Sequence, residues 1–312
     1  MTISIVTPCY NESMGLPAFL LGLESVLINE HQHSFNIIVV DDCSTDESIK
    51  TLEAFQFEAV NITMHIIRNR FNAGHQRSIF HGLLFTKEIK QDYVIIMDSD
   101  GEDDPKAIPL LLKIKEYDIV EVRRGKRKDS LAFKIMYLFY KLLFRVLIGK
   151  QLNYGNFCML KDSIVEKIRV TSFVHLPAYL LKQPASRTFI TCDRNHRLNG
   201  KSKMGYKGLL IHGFKSLVEF GSILLFWLLR IFIVVAIFMI AITLNLFYQK
   251  FVSHTAIPGW FSTLFIGLLN LGMLCLGFFV IGILLVNRAS ANINNEDSLY
   301  QIIKHHGENK VV

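Results

Sequence analysis

At 312 residues the chain can hold one sizeable domain and a smaller module, and its 51% hydrophobic content with a mean hydropathy of +0.32 is high for a wholly soluble enzyme. A formal charge of +7 and a pI near 9.1 would suit nucleic acid or an anionic membrane face. The cations lie beside apolar helices without interleaved aromatic platforms, which excludes a nucleic-acid binder. The apolar excess falls in the last third, so a soluble-looking domain followed by a membrane module is expected. Five cysteines (Cys9, Cys43, Cys158, Cys192 and Cys275) lack metal-ligand spacing, and the first residues lack a leader pattern. The domain is therefore expected to be reduced and cytoplasm-facing.

Ile3–Thr7 is a short β-branched apolar run, as in a buried strand of a parallel sheet. Pro8-Cys9-Tyr10-Asn11-Glu12 turns the chain, and Leu16–Ile28 has helical apolar spacing. Asn36–Val40 reads as the second strand and ends on Asp41-Asp42-Cys43-Ser44-Thr45-Asp46, where Ser44 or Thr45 would cap the next helix with Glu47 in its first turn. His65–Ile67 reads as a weaker third strand, and Asn72-Ala73-Gly74-His75-Gln76 opens another helix. Tyr93–Met97 is the fourth strand. Strand alternating with helix predicts a doubly wound parallel sheet, in which ligands lie at the carboxyl ends of the strands. All three polar clusters, at Tyr10–Glu12, Asp41-Asp42 and Asp98–Asp104, fall at such ends.

The chain is organised around the fourth strand and what it delivers, Asp98-Ser99-Asp100-Gly101-Glu102-Asp103-Asp104-Pro105. Residues i and i+2 of an extended chain leave on the same side, so Asp98 and Asp100 can meet at one cation. Hard oxygen ligands suit Mg²⁺ or Mn²⁺, small Ser99 leaves room for a polar ligand, and Gly101 lets the chain swing away. The plainer alternative is an acidic loop that caps a helix after Pro105.

Asp118–Val122 reads as a fifth strand, followed by the basic run Arg123–Lys128. Leu131–Ile148 carries Lys134, Lys141 and Arg145 on one helical face, which fits either a core helix with a solvated stripe or a cationic helix in the membrane surface. Gly205–Leu229, with His212, Lys215, Glu219 and Ser222 on one face, runs into a membrane span and is expected to lie at the interface. Ile231–Phe247 and Trp260–Val286 are each long and apolar enough to cross a hydrocarbon layer of ~30 Å, with Trp227, Tyr248 and Trp260 near their ends. The connection Gln249–Gly259 holds one lysine, whereas Lys203, Lys215, Arg230, Arg288 and Lys304 lie on the other side. The positive-inside rule then places both termini in the cytoplasm.

Together these residues resemble a family. Val6-Thr7-Pro8-Cys9-Tyr10-Asn11-Glu12, Val39-Val40-Asp41-Asp42-Cys43-Ser44-Thr45-Asp46 and Asp98-Ser99-Asp100 are similar to the nucleotide-sugar domain of family 2 glycosyltransferases. Asn195-His196-Arg197-Leu198-Asn199-Gly200-Lys201-Ser202-Lys203 followed by two spans narrows the resemblance to polyprenyl-phosphate glycosyltransferases, of the dolichyl-phosphate mannose synthase and bactoprenol glucosyltransferase type. The resemblance covers essentially the whole chain. It implies an α/β, Rossmann-like (GT-A type) domain with a mixed, mostly parallel sheet over residues 1–204, with 131–149 as a possible interface helix. An amphipathic juxtamembrane helix (205–229), a two-helix transmembrane hairpin (about 231–248 and 260–286) and a cytoplasmic tail (288–312) would follow.

The resemblance also implies roles. Pro8, Tyr10 and Glu12 would hold base and ribose, Asp42 with Asp41 beside it would read the base edge, and Asp98 and Asp100 would hold Mg²⁺ or Mn²⁺ against the diphosphate. Glu102 would ligate the metal or bond the sugar. Arg124 and Arg127 match a Gly-x-Arg-x-x-Arg element, with Val122 in place of its glycine, and suit bidentate binding of the lipid phosphate; a solvated basic loop is the alternative. Ser202 and Lys203, with Arg194 and Arg197, would close over diphosphate and acceptor. Where relatives have Asp-x-Gly-Asp-Phe, this chain has Asn153-Tyr154-Gly155-Asn156-Phe157. Amides cannot take a proton at neutral pH, so the general base of a hydroxyl-accepting enzyme is missing, whereas a phosphate acceptor needs none.

The expected activity is inverting, metal-dependent transfer of a sugar from a nucleotide diphosphate, UDP favoured over GDP, to a polyprenyl phosphate at the cytoplasmic leaflet. Association of identical chains is compatible with this reading. Its rivals are a transferase acting on a glycan or glycolipid hydroxyl, disfavoured by the absence of a Gln-x-x-Arg-Trp element and of further spans, and a non-catalytic membrane protein that binds sugar nucleotides, suggested by Asn153 and Asn156.

Overall fold

The computed structural model describes residues 1–124, 131–151, 155–193, 195, 197–198, 206–254, 259–290 and 300–304. They fall into two units, one of residues 1–141, 151–219 and 293–312, the other of residues 142–150 and 220–292.

The first unit is built on an eight-stranded sheet in the order β7-β5-β6-β4-β1-β2-β3-β8. Its strands are β1 (Thr2–Cys9), β2 (Ser34–Asp41), β3 (Ile62–Asn69), β4 (Tyr93–Ile96), β5 (Ile119–Arg124), β6 (Cys158–Lys161), β7 (Arg187–Cys192) and β8 (Tyr300–Lys304). β4, β1, β2 and β3 run parallel, as do β5 and β7, while β6 is antiparallel to both β4 and β5 and β8 is antiparallel to β3. The sheet is thus mixed and mostly parallel, as the resemblance implied. The purely parallel sheet predicted from strand–helix alternation fails at β6 and β8. Those strands are short, and β6 is flanked by no strand-length apolar run of its own, so its pairing is decided by the sheet and not by local pattern.

Both faces of the central strands are buried, and side-chain alternation sorts them into two layers. Ile3, Ile5, Phe35, Ile37, Val39, Tyr93, Ile95 and Met97 pack in one layer with residues of α1 (Leu16–Leu27), α2 (Ser48–Ala54) and α4 (Ala107–Leu112). Val6, Ile38, Val40, Val94 and Ile96 pack in the other with residues of α3 (His75–Phe85), α6 (Asp162–Thr171) and α7 (Leu176–Lys182). The helix α3 lies close on β1 and β2: a Cβ placed on Gly82 would meet Val6 Cγ1 at 2.4 Å and Val40 Cγ2 at 2.9 Å.

The helix expected from Ser44 or Thr45 begins later, at Ser48. Asp46, just ahead of the helix, accepts through Oδ1 from the Ser48 amide at 3.0 Å, while Ser44 and Thr45 bond to Asn11 instead. The single juxtamembrane helix expected over 205–229 is interrupted. α8 (Tyr206–Val218) stops, and Phe220 is non-helical at φ −101°, ψ 31°. The cause is Glu219: Lys182 Nζ donates to its carbonyl at 2.8 Å, and its Oε2 accepts from the Val174 and His175 amides at 2.8 and 3.3 Å.

α5 (Leu131–Ile148) follows the predicted bounds. The second unit contains two long helices, α9 (Gly221–Phe251) and α10 (Trp260–Ser290). α9 begins ten residues ahead of the expected span; an 18-residue window within it has a mean hydropathy of 2.9, and one within Ser262–Ile283 of α10 has 2.5. Both are long and apolar enough to cross a membrane, and neither is buried within the protein. A groove of about 190 Å³ between them is lined by residues such as Phe232, Met239 and Met273.

The segment expected as a tail contributes β8, whose Tyr300 pairs with Asn69 and whose Ile302 pairs with Ile67. Tyr300 packs on His81 and Phe85, with ring centroids 5.9 and 6.5 Å apart.

The contact at Gly82 predicts that Gly82→Ala lowers unfolding stability by about 1–3 kcal/mol through overpacking. Chemical denaturation of the full chain in detergent would show a lowered midpoint, and an unchanged midpoint would contradict the packing described.

Candidate active site

Because β4, β1 and β2 are parallel neighbours, their carboxyl ends bring the three polar clusters side by side. The Asp42 amide donates to the Cys9 carbonyl at 2.8 Å. The Asn11 amide donates to Ser44 Oγ at 2.9 Å, and the Glu12 amide to Ser48 Oγ at 3.0 Å. Asn11 holds the left-handed conformation at φ 51°. Ser99 Oγ donates to the Pro8 carbonyl at 2.8 Å, which fastens the acidic turn after β4 to the turn after β1. Tyr10 is exposed and Glu12 half-buried at this edge. Burial, with Asp41 adding to it, pushes the Cys9 thiol up to about 12, so Cys9 is no nucleophile at neutral pH.

The acidic turn is built by its own side chains. Asp103, itself buried, accepts from the Asp98 amide through Oδ2 at 3.0 Å. The Glu102 amide donates to Asp100 Oδ1 at 3.0 Å, and Gly101 takes φ 80°, a conformation open to glycine. Asp104 Oδ1 accepts from the Lys106 amide at 3.0 Å just before α4. Asp104 thus shapes the turn ahead of α4, whose N-cap Lys106 makes no side-chain cap bond, while Asp98 and Asp100 face basic groups. Asp98 Oδ1 lies 3.2 Å from His75 Nε2, and Asp100 Oδ2 accepts from Arg197 Nη2 at 2.6 Å. The Leu198 amide donates to the Asp100 carbonyl, and the Asn195 amide to that of Glu102, both at 3.1 Å. The described parts of the 193–198 segment thus cover the turn, and Glu102 is half-buried within it.

The side chains of Asp98 and Asp100 are only 19% and 12% exposed, so their charge is balanced locally. The protein around His75 disfavours a charged ring, but Asp98, helped by Asp100 and Asp103, outweighs this and raises its pKa. Where two recessed carboxylates draw basic groups to 3.2 and 2.6 Å, the chemistry fits Mg²⁺ or Mn²⁺. Among the described residues no group of three or more His, Cys, Asp or Glu is arranged to hold an ion. An ion held by the pair would complete its shell with water and phosphate oxygens.

At the end of β2 the two aspartates differ. Asp42 Oδ1 accepts from Asn69 Nδ2 and the Ala73 amide, both at 2.8 Å, and Oδ2 accepts from the Gly74 amide at 2.9 Å. Its carboxylate holds the loop that opens α3. Asp41 Oδ2 accepts from the Ser44 amide at 3.1 Å and pairs with Arg68 Nε at 3.3 Å. Asp41 Oδ1 is buried with no hydrogen-bond partner among the described residues. Burial raises the Asp41 pKa against the opposing pull of Ser44 and Arg68.

Of the other expected site residues, Pro8 is placed at the edge by its bond from Ser99. Arg124 ends β5, with its backbone paired to Cys192. Arg127, Asn153, Arg194, Ser202 and Lys203 lie outside the described residues, as does the side chain of Arg124. Residues the sequence reading did not single out are Arg68, Asn69, His75, Gln76 and Asp103. The signal was available in Gly74-His75-Gln76, a polar pair at a helix start following a strand end, the geometry that sends side chains to the ligand edge.

The model of "Glycosyl transferase family 2" matches residues 4–169. The chain belongs to glycosyl transferase family 2. It is 33% identical over 162 residues to an undecaprenyl-phosphate 4-deoxy-4-formamido-L-arabinose transferase of Serratia proteamaculans, covering 51% of this chain and 48% of the relative. It is 37% identical over 134 residues to the transferase of that name from Pseudomonas fluorescens, covering 42% and 38%. The match therefore spans about half the length of these curated relatives. Among solved structures, mannosyl-3-phosphoglycerate synthase from Rubrobacter xylanophilus is similar in fold, with a TM-score of 0.53 at 14% identity over 71% of this chain and 73% of that one.

The Asp42–Asn69 cluster of this family 2 domain contains a buried histidine whose titration can be read. His81 Nδ1 donates to Asn69 Oδ1 at 2.7 Å, and its buried Nε2 has no hydrogen-bond partner among the described residues. Burial, with Arg77 adding to it, lowers its pKa from 6.5 to about 4. A folded value below the unfolded one means that this stability is complete above pH 6.5 and is lost as pH falls toward 4. The loss attributable to His81 should reach on the order of 3 kcal/mol. Unfolding free energies across that range should fall more steeply for the parent than for His81→Gln, and equal slopes would contradict the neutral buried ring.

Proposed function

We propose that the chain transfers a sugar from a nucleotide diphosphate to a polyprenyl phosphate at the cytoplasmic face of a membrane, with inversion at the anomeric carbon. The observation that carries this reading is the recessed Asp98–Asp100 pair beside the Asp41–Arg68 pair, in a chain with two helices able to span a bilayer. The names of the curated relatives, undecaprenyl-phosphate sugar transferases, support the acceptor class.

In this reading Asp41 Oδ1 accepts the ring N–H of the base and Arg68 donates to the adjacent carbonyl. Uracil presents that edge through N3–H and O4, and UDP is the preferred donor; guanine offers a comparable edge, so the assay carries both. Tyr10 stacks on the base, and Glu12 accepts from ribose hydroxyls. Asp98 and Asp100 would hold Mg²⁺ or Mn²⁺, with Glu102 beside them; when bound, such an ion stabilises the negative charge of the departing diphosphate. An acceptor phosphate oxygen forms a bond to the anomeric carbon as the bond to the diphosphate breaks. The nucleophile is already anionic, so no side chain need remove a proton, and the amide of Asn156 suffices where a carboxylate would serve a hydroxyl acceptor. Arg197 would exchange Asp100 for substrate phosphate, and the family resemblance assigns phosphate and acceptor binding to Arg124, Arg127, Arg194, Ser202 and Lys203. Exposed Leu138, Phe214 and Val218 of α5 and α8 would rest in the membrane surface.

The pairing of β8 with β3 supports the topology. The chain enters α9 from the sheet-bearing unit and returns to that unit after α10, so it crosses the bilayer an even number of times. The excess of Lys and Arg on that side favours the cytoplasm.

Membranes containing the chain, given labelled UDP- and GDP-sugars with Mn²⁺, should form a lipid-extractable, acid-labile sugar phosphate. Asp100→Ala should reduce that product at least a hundredfold, as loss of a group stabilising transition-state charge does. Full activity of Asp100→Ala, or label transferred only to a glycan hydroxyl, would contradict the proposal.

A further inference from the structure

The apolar stretch of α10 carries one amide near its middle. From Leu264 to Ile283 no residue is charged, and Asn270 has the single amide side chain. At 1.5 Å per residue it lies within about 4 Å of the midpoint of Ser262–Ile283 along the axis. Asn270 is exposed, and none of the described residues hydrogen-bonds its side chain. In water such a position is ordinary. In hydrocarbon no solvent takes the two N–H groups and the oxygen, so the amide needs a partner.

That partner is not α9. The side of α10 that packs on α9 is marked by Gly272 and Gly282, where an added Cβ would meet Met239 Cε and Leu225 Cδ1, each at 3.1 Å. At 100° per residue Asn270 lies roughly 120–160° round the helix from these two glycines. It belongs instead to a second stripe, Thr263, Gly267, Asn270, Leu274, Gly277 and Ile281, all exposed. Alternating steps of four and three hold these residues within an arc of about 80°. An added Cβ on Gly267 or Gly277 would meet nothing within 4 Å, so neither glycine serves packing within one chain. On each side of Asn270 this face is low enough for another helix to approach closely.

We propose that two copies of the chain pair in the membrane through this face of α10, with their Asn270 amides hydrogen-bonded to each other. Copies of one chain insert with the same orientation, so Asn270 stands at the same depth in both. An amide holds donor and acceptor together, and two of them across a two-fold axis along the membrane normal satisfy one another. A different partner would need a polar group of its own at that depth, and a prenyl or acyl chain has none to give. One asparagine in a seam of this spacing also fixes register and the number of helices. The inference rests on the reading of α10 as a membrane span and goes beyond the transfer reaction.

The test is Förster transfer between full chains fused at the C-terminal end to a donor or an acceptor fluorescent protein, reconstituted in phosphatidylcholine liposomes over a range of protein-to-lipid ratios. Transfer in the parent should rise to saturation as the ratio increases. Asn270→Leu should raise the ratio for half-saturation about five- to thirtyfold, the range seen when interhelical hydrogen bonds are lost. Asn270→Gln, which keeps the amide, should stay within about threefold of the parent. Gly277→Leu disturbs no contact within one chain and should weaken pairing by at least as much as Asn270→Leu. Parental pairing in either leucine variant would overturn the inference, as would a parent that stays monomeric at every ratio and leaves Asn270 to a different membrane protein. A chain released from membranes by alkaline carbonate would overturn the span and the pairing with it. A membrane-embedded pair that transfers no sugar to lipid phosphate would overturn the proposed reaction and leave this inference standing.

Discussion

The hydrogen bond from the Asp98 amide to the buried carboxylate of Asp103 is the constraint on which the site depends. A strand that ends in open solvent leaves its last amide to water and its last side chains to many rotamers. Here a side chain five residues on takes that amide, and Ser99 is tied to the Pro8 carbonyl. The turn after β4 is therefore closed upon itself and fastened to the turn after β1. With the backbone fixed in this way, two carboxylates one residue apart stay recessed, Asp98 against His75 and Asp100 against Arg197.

The acids of this edge divide their work according to depth and partner. Asp42, Asp103 and Asp104 accept backbone amides; a buried carboxylate bonded in this way shapes a loop. Asp98 and Asp100 face basic groups, and Asp41 keeps one buried oxygen without a hydrogen-bond partner among the described residues. In neighbouring loops one residue type thus supplies both loop structure and paired charge. Stability and chemistry are coupled most closely at Asp42, whose bonds hold the loop that carries His75 and Gln76.

Much of this was readable in the chain. The runs Ile37–Val40 and Tyr93–Met97, and Ile3–Thr7 apart from Ser4 and Thr7, are apolar because both sheet faces are covered, and that pattern announces a central strand. Asp98-Ser99-Asp100 after such a run identifies the edge where ligands bind, and the uncharged stretches after Arg230 identify the long helices. What the chain hid depends on tertiary pairing. Cys158–Lys161 is four residues long and becomes a strand through β4 and β5. Tyr300–Lys304 follows the long helices and finds its place on β3, some 230 residues earlier in the chain. Glu219 looked like one member of a helical face until its carbonyl was claimed by Lys182 of α7 and its carboxylate by the Val174 amide ahead of that helix. Asp41 and Asp42 are adjacent and identical, and only the fold of 69–74 tells which is committed.

The account rests on a divalent ion held by Asp98 and Asp100 against a nucleoside diphosphate. Crystals of the full chain grown with Mn²⁺ and UDP, with diffraction recorded at the manganese absorption edge, measure this directly. The account predicts one anomalous peak within about 2.2 Å of carboxylate oxygens of both residues, with diphosphate oxygens completing the shell. A peak bound elsewhere, or an Asp100 carboxylate still bonded to Arg197 with no ion beside it, would contradict it.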